Sequence, residues 1–300
     1  MIDPIVYRIA EESDIPQLVN LINSQYSRKK AAEYFRWQYF DSFYPSVVMC
    51  AFMEESVIGM FGLQKRKLSD GVNAGQAIDL LVDPAWRGKG VFAELGVHAS
   101  GSFKDLDLLC VFPNLNGKNA CEKSLHWKTI GKIDSLVLPS SDANLHRQNA
   151  ESISEKHRGA ARIHFAYTDQ VRHWRFDCNP LYQYVRIPGE EKSFVVTKTF
   201  VDPTSGKRYG DIVDFESPSE DKRVLKNLLV SACEYFRTQR VETITTWALP
   251  HTMLAEVTKS MGFLALPQER YFCVSVFSQK HEYLYDFSRW HLVQADAEIY

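Results

Sequence analysis

Arg87-Gly88-Lys89-Gly90 carries the residue types best suited to chemistry in this chain, following the apolar run Leu80-Leu81-Val82 by way of Asp83-Pro84-Ala85-Trp86 and preceding Val91-Phe92. The order reads as a buried strand, a glycine turn and a helix start. A helix N-terminus exposes unpaired backbone N–H groups and the positive end of the helix dipole. Glycines let a phosphate come close to that backbone, and Arg87 and Lys89 add positive charge. The segment is suited to hold a phosphate or pyrophosphate. The plain alternative is a turn that uses glycine for geometry alone, with solvated cations beside it. Neither G-x-x-x-x-G-K-S/T nor G-x-G-x-x-G occurs, so the turn is neither a P-loop nor a dinucleotide fingerprint.

The elements around this turn follow from periodicity. A strand is expected at 5–9, then a helix started by Asp14 with Ile15, Leu18, Val19 and Ile22 on one face. A helix is expected over 29–40 and strands over 47–53, 56–68 and 76–82. Beyond the turn come a helix over 91–103, a strand over 106–112, a helix over 115–125 and a strand over 133–138. Residues 140–160 are rich in Ser, Asp, Asn, Gln, Glu and Lys and read as a linker or exposed connection. The expected division is therefore 1–139, a linker over 140–160, and 161–300.

The second half repeats landmarks of the first. Trp174 follows Trp37 by 137 residues, Asp214 follows Asp79 by 135, Pro250 follows Pro113 by 137 and Phe263 follows Trp127 by 136. A near-constant offset points to internal duplication. The copies differ at the turn. Where the first half has Arg87-Gly88-Lys89-Gly90, the second has Ser219-Glu220-Asp221-Lys222-Arg223. Carboxylates there suit a helix N-terminus but repel phosphate, so the anion is expected in the first half alone.

Composition excludes several classes. The 300 residues carry a net charge of −2, which does not favour a nucleic-acid partner. No apolar run reaches membrane-spanning length, and Met1-Ile2-Asp3-Pro4 lacks the layout of a signal peptide. Cys50, Cys110, Cys121, Cys178, Cys233 and Cys273 form no C-x-x-C pair and read as buried free thiols of a cytoplasmic protein. No H-E-x-x-H or G-x-S-x-G is present, so no metal site and no serine hydrolase are expected.

The segment 79–92 resembles the acyl-CoA pyrophosphate loop, Q/R-x-x-G-x-G/A, of the GNAT superfamily of N-acyltransferases. Arg87, Gly90 and the helix start match, while bulky Phe92 replaces the final small residue. Phe112-Pro113-Asn114-Leu115-Asn116, then Leu125-His126-Trp127-Lys128, is similar to the F-P-N-x-N and L-G-W-K stretches of tandem members found in bacterial surface-polysaccharide gene sets, with His126 replacing Gly. Trp290-His291-Leu292 through Ala295-Asp296-Ala297-Glu298-Ile299-Tyr300 is similar to their tail.

The resemblance implies an α/β fold of two GNAT-like lobes, each a mixed, mostly antiparallel sheet flanked by helices. It implies acetyl-CoA as co-substrate, held by Leu81, Val82, Arg87, Gly88, Lys89, Gly90, Val91, Phe92 and Asn116, with a helix N-cap the alternative for Asn116. It implies a splay between the strand carrying Leu81 and Val82 and the strand ending near Phe112, into which pantetheine enters, and a backbone N–H near Leu81 for the oxyanion. Asp79 is the candidate general base, or else a structural carboxylate. The tyrosine that protonates the departing thiolate in the superfamily is missing from 117–122, where Lys118 stands in its place. Trp37 and Trp174, with Tyr34, Tyr39 and Tyr182, line an acceptor cleft or belong to the core. Glu33 and Asp41 hold a substrate amine or lie on a solvated face. The implied activity is N-acetylation of a small amine, such as a nucleotide-linked amino sugar, in a ternary complex. A monomer acting as a pseudo-dimer suffices. The alternatives are a non-catalytic acyl-CoA-binding protein, or transfer to a hydroxyl or of a longer acyl group.

Overall fold

The structure is a computed structural model that describes residues 4–26, 29–143, 162–202, 205–217 and 221–297. Its first elements are β1 (Val6–Ile9), α1 (Ile15–Gln25), α2 (Ala32–Phe35), β2 (Ser46–Met53), β3 (Ser56–Lys67), β4 (Asn73–Val82), α3 (Val91–Ser100), β5 (Leu108–Val111) and α4 (Leu115–Leu125). Next come β6 (Lys128–Pro139), α5 (Asp169–Arg172), β7 (Tyr184–Pro188), β8 (Phe194–Val201), β9 (Arg208–Glu216), α6 (Lys222–Thr238), β10 (Thr243–Ala248), α7 (Met253–Ser260) and β11 (Leu264–Val276).

Two compact units result. One comprises Met1–Gly131, Phe165–Leu181 and Tyr271–Phe287; the other comprises Lys132–His164, Tyr182–Arg270 and Ser288–Tyr300. The units are interleaved in sequence rather than contiguous halves. Most of the 140–160 connection lies outside the described residues; Ser140–Asp142 forms a 3-10 turn.

In the first unit β1, β2, β3 and β4 pair antiparallel in succession. β4 then pairs parallel with β5, and the end of β11 runs antiparallel to β5, with Cys273 opposite Val111. α3 buries Val91, Leu95 and Ala99, spaced by four, against Met49, Phe61 and Leu63 of the sheet. Each such aliphatic side chain contributes about 1.5–3 kcal/mol by burial. α1 buries Leu18, Leu21 and Ile22 on the other face, with Phe35, Tyr39 and Ile78.

The helix expected over 29–40 is in fact the single turn α2 followed by a π turn, Arg36–Phe40. A second π turn, His173–Asp177, follows α5. Trp37 and Trp174 occupy equivalent places in these turns. Their rings stack at 4.8 Å, and Trp37 Nε1 donates to the Trp174 carbonyl at 3.2 Å. Both are buried with Tyr34, Tyr44 and Val171, which is packed core.

In the second unit β7, β8 and β9 pair antiparallel, β9 pairs parallel with β10, and β10 runs antiparallel to β6. α6 packs Val224, Leu225, Leu228, Leu229 and Phe236 onto this sheet. The duplication thus reappears as element order and as irregularities at matching places.

His126 illustrates the last point. It ends α4 in the left-handed conformation, φ +57°, and the matching residue of the second half, Gly262, has φ +93°. A side chain costs about 1–2 kcal/mol in that conformation. His126→Gly is therefore expected to raise the unfolding free energy by about 1 kcal/mol, measured by urea denaturation; a fall contradicts this reading.

Candidate active site

The glycine turn is built for an approaching anion. Asp83 Oδ1 accepts from Ala85 N at 2.8 Å and fixes the 3-10 turn Pro84–Trp86. Gly88 and Gly90 have φ +74° and +82°, and a Cβ on either would meet nothing within 4 Å. Glycine is needed here for backbone conformation, and the space beside it is open. Gly90 is the N-cap of α3, and no side chain caps that helix. The N–H groups of the first turn consequently have no acceptor within the helix. At the corresponding end of α6, Asp221 accepts from Arg223 N at 2.7 Å. That carboxylate occupies the position an anion would take. Ser219 and Glu220 lie outside the described residues.

The residues around the turn divide between bracing and exposure. Arg87 Nε donates to the Val82 carbonyl at 3.1 Å, and its terminal nitrogen bonds to Gln25 Oε1. Arg87 thus ties the strand end to α1. Lys89 is exposed, its Nζ 4.5 Å from the centre of the Trp86 ring. Val91 is buried, and Phe92 turns its half-buried ring into the core, 6.2 Å from Phe61. The bulky residue therefore leaves the mouth of the turn clear.

β4 and β5 part company close to this turn. Their ladder consists of Ala74, Gly75 and Gln76 opposite Leu108, Leu109 and Cys110. β4 runs on to Val82, with Leu81 and Val82 paired to Met60 and Gly59 of β3 on the other side. Beyond Gln76 no β4–β5 pairing exists among the described residues. The β5-facing edge of Leu81 and Val82 is thereby left to a third strand-like partner.

Asp79 sits where β4 is irregular. Gly62 faces Ile78 and Met60 faces Leu81, so Asp79 and Leu80 together lie opposite Phe61. This is a β-bulge, and Asp79 takes φ +50°. Its carboxylate is almost enclosed, with the side chain 6 % exposed. Lys30 Nζ lies 2.6 Å from Oδ1, and Tyr39 Oη donates to Oδ2 at 2.9 Å. Asn23 positions Lys30 by donating to its carbonyl at 2.9 Å and accepting from its N–H at 2.8 Å. Gly62 makes room for Tyr39, since a Cβ there would lie 2.3 Å from Oη. β9 also carries one extra residue, but there it is Val213, between Ile212 opposite Thr197 and Asp214 opposite Val196; Asp214 Oδ1 accepts from Phe215 N at 2.9 Å. A one-residue register shift in this strand recurs in both copies; the left-handed carboxylate residue with its Lys30 and Tyr39 partners belongs to Asp79.

At α4 the cap is Asn114, which accepts from Gly117 N at 2.9 Å. The N-cap alternative for Asn116 is thereby corrected: it lies inside the first turn, exposed. Lys118 Nζ is 3.4 Å from Glu122 and 5.3 Å from the Tyr271 ring centre. Bonding from Thr129, with help from Lys118, holds the Glu122 carboxyl below its ordinary range. Tyr271 N donates to the Pro113 carbonyl at 3.0 Å. A tyrosine does reach this helix, but from β11, at the far end of the sequence. Glu33 and Asp41 lie on an exposed face. Lys30, Tyr271 and the link between Tyr39 and Asp79 were not legible in the sequence. Among the described residues, no group of three or more His, Cys, Asp or Glu side chains could hold a metal ion, and no helix is long and apolar enough to cross a membrane.

No family model and no curated protein sequence matches the chain. Solved structures do match. A GCN5-related N-acetyltransferase from Anabaena variabilis is 12% identical over 91% of this chain and 73% of its own, with TM-score 0.62. Saccharomyces cerevisiae N-myristoyltransferase with bound myristoyl-CoA is 8% identical over 93% and 80%, with TM-score 0.60. A tandem GNAT protein from the clavulanic acid biosynthesis pathway is 14% identical over 91% and 98%, with TM-score 0.54. The splayed strands, the glycine turn and these likenesses agree: the chain has the fold of the GCN5-related N-acetyltransferases, and its length matches a tandem form of it.

Proposed function

We propose that the protein is a cytoplasmic, acetyl-CoA-dependent N-acetyltransferase acting on a small amine, with its single CoA site in the first unit. The observation that carries this reading is the uncapped, glycine-started α3 beside a β4 edge that has left β5. The pyrophosphate sits on the N–H groups of Gly88 to Phe92, with Lys89 adding charge and Arg87 bracing the turn. Pantetheine pairs along Leu81 and Val82 as an added strand would. The Leu81 N–H faces the thioester oxygen and stabilises the oxyanion of the tetrahedral intermediate.

Asp79 takes the proton of the attacking ammonium, directly or through water, while Tyr39 and Lys30 orient its carboxylate. Once the amine has attacked, the C–S bond breaks and CoA leaves as its thiolate. Tyr271, set beside Lys118, is assigned as the phenol that returns a proton to it. A nucleotide-linked amino sugar is the first acceptor to try. Transfer of a longer acyl group is the second reading, favoured by the likeness to the myristoyl-CoA-bound structure.

Calorimetric titration with CoA tests the site. One equivalent is expected to bind, and Gly90→Val, which forces a side chain into the left-handed cap, is expected to weaken binding at least about tenfold, the equivalent of 1.4 kcal/mol. Lys222→Ala, at the start of α6, is expected to leave affinity unchanged. Equal affinity for the Gly90 variant and the unmodified protein overturns the placement.

Thiol release from acetyl-CoA across a panel of amines tests the chemistry. Asp79→Asn is expected to lower kcat about 100-fold with CoA affinity retained. An unchanged kcat assigns Asp79 to the structure alone, and tight CoA binding without turnover on any amine favours a non-catalytic binder.

A further inference from the structure

Cysteine burial is uneven. Cys50, Cys110, Cys121, Cys233 and Cys273 are buried, and Cys178 is exposed, which corrects the expectation of buried thiols throughout. Burial pushes the Cys50, Cys121 and Cys233 thiols up to about 12 and raises that of Cys273. Those thiols are poor nucleophiles because the thiolate is the reactive form.

Cys178 has different company. Its Sγ lies 3.5 Å from His173 Nε2, and His173 Nδ1 lies 2.9 Å from Asp177 Oδ2. The π turn gathers these three residues. It closes i→i+5 hydrogen bonds, and Cys178 N donates to the His173 carbonyl at 3.1 Å. One turn therefore brings the thiol back over the imidazole, while Asp177 precedes Cys178. In the tautomer that carries its proton on Nδ1, His173 donates to Asp177 Oδ2 and presents Nε2 as an acceptor to the thiol. The equivalent π turn of the first half has the same bond, from Asp41 N to the Arg36 carbonyl at 2.9 Å. There the matching residues are Arg36, Phe40 and Asp41, with no nucleophile. The turn is a property of the fold; the thiol, imidazole and carboxylate on it are particular to this copy.

We propose that Cys178, His173 and Asp177 form a second nucleophilic centre, separate from the CoA turn, which is acylated by small acyl thioesters. His173 Nε2 takes the Cys178 proton, and Sγ attacks the thioester carbonyl carbon. The new Sγ–C bond forms and the donor's C–S bond breaks. The proton on Nε2 passes to the departing thiolate, so a thioester and a thiol are consumed and a thioester and a thiol result. Asp177 orients the ring from the surface, the His173 and Asp177 side chains being 67 % and 69 % exposed.

The test uses the full chain and the acetyl thioester of N-acetylcysteamine, which lacks a nucleotide and so does not depend on the glycine turn. Peptide mass spectrometry is expected to find a hydroxylamine-labile acetyl group on Cys178 and on none of the other five cysteines. Cys178→Ser is expected to abolish it. His173→Gln is expected to slow its formation about 100-fold, and Asp177→Asn is expected to slow it less. The variants are compared on protein whose buried thiols stay closed to iodoacetamide, which separates loss of the relay from loss of the fold. No labile acetyl group on Cys178, or equal rates in the unmodified protein and both relay variants, overturns the proposal.

Discussion

One extra residue in β4 governs the first unit. The bulge at Asp79 and Leu80 breaks the alternation of the strand, turns Asp79 into the left-handed region and changes the course of the chain beyond it. Next to it stand Gly62, which admits the Tyr39 hydroxyl, and Lys30, fastened by Asn23 so that its ammonium meets the carboxylate. An enclosed carboxylate is costly unless charges and donors meet it, and this one has both. Past the bulge β4 is held only by β3, so its other edge stands open where the strand delivers the chain to Gly88 and Gly90. Open edge, glycine turn and uncapped helix are consecutive consequences of the same strand.

The second unit keeps the scaffold and changes the chemistry. It retains an extra residue in the matching strand, at Val213, and the left-handed Gly262. It replaces the open helix start with Asp221. It also places a fully buried ion pair, Lys198 and Asp211 at 2.9 Å, at the cross-strand register where the first unit has Gln64 and Gln76. Such a pair is weak evidence for stability, since desolvation offsets much of the attraction. Tyr182 stacks beneath the ammonium at 4.3 Å. Duplication followed by divergence at one turn explains why a single anion site is expected in a chain with two copies of the fold.

What the sequence made legible was local. The limits 115–125 of α4 agree because Asn114 and His126 are an N-cap and a left-handed stop. The strand, glycine turn and start of α3 were readable because glycine at positive φ and an apolar run leave strong marks. The π turns were not, since an added residue in one turn leaves the aromatic spacing of 34–40 looking helical. The bulge was hidden because Asp79 in an apolar run looks like any strand carboxylate. Tyr271 was out of reach because β11 joins the first unit from the far end of the chain, and nothing local encodes a pairing with β5. Phe92 departs from the loop motif because its ring serves the core, facing Phe61.

Backbone amide exchange in the presence of CoA reads the proposed site most directly, because the ligand is held there by N–H groups rather than side chains. Exchange at 81–82 and 88–93 is expected to slow on adding CoA, with exchange at 221–226 unchanged. Unaltered exchange at 88–93, or equal protection at the start of α6, contradicts this placement of the site.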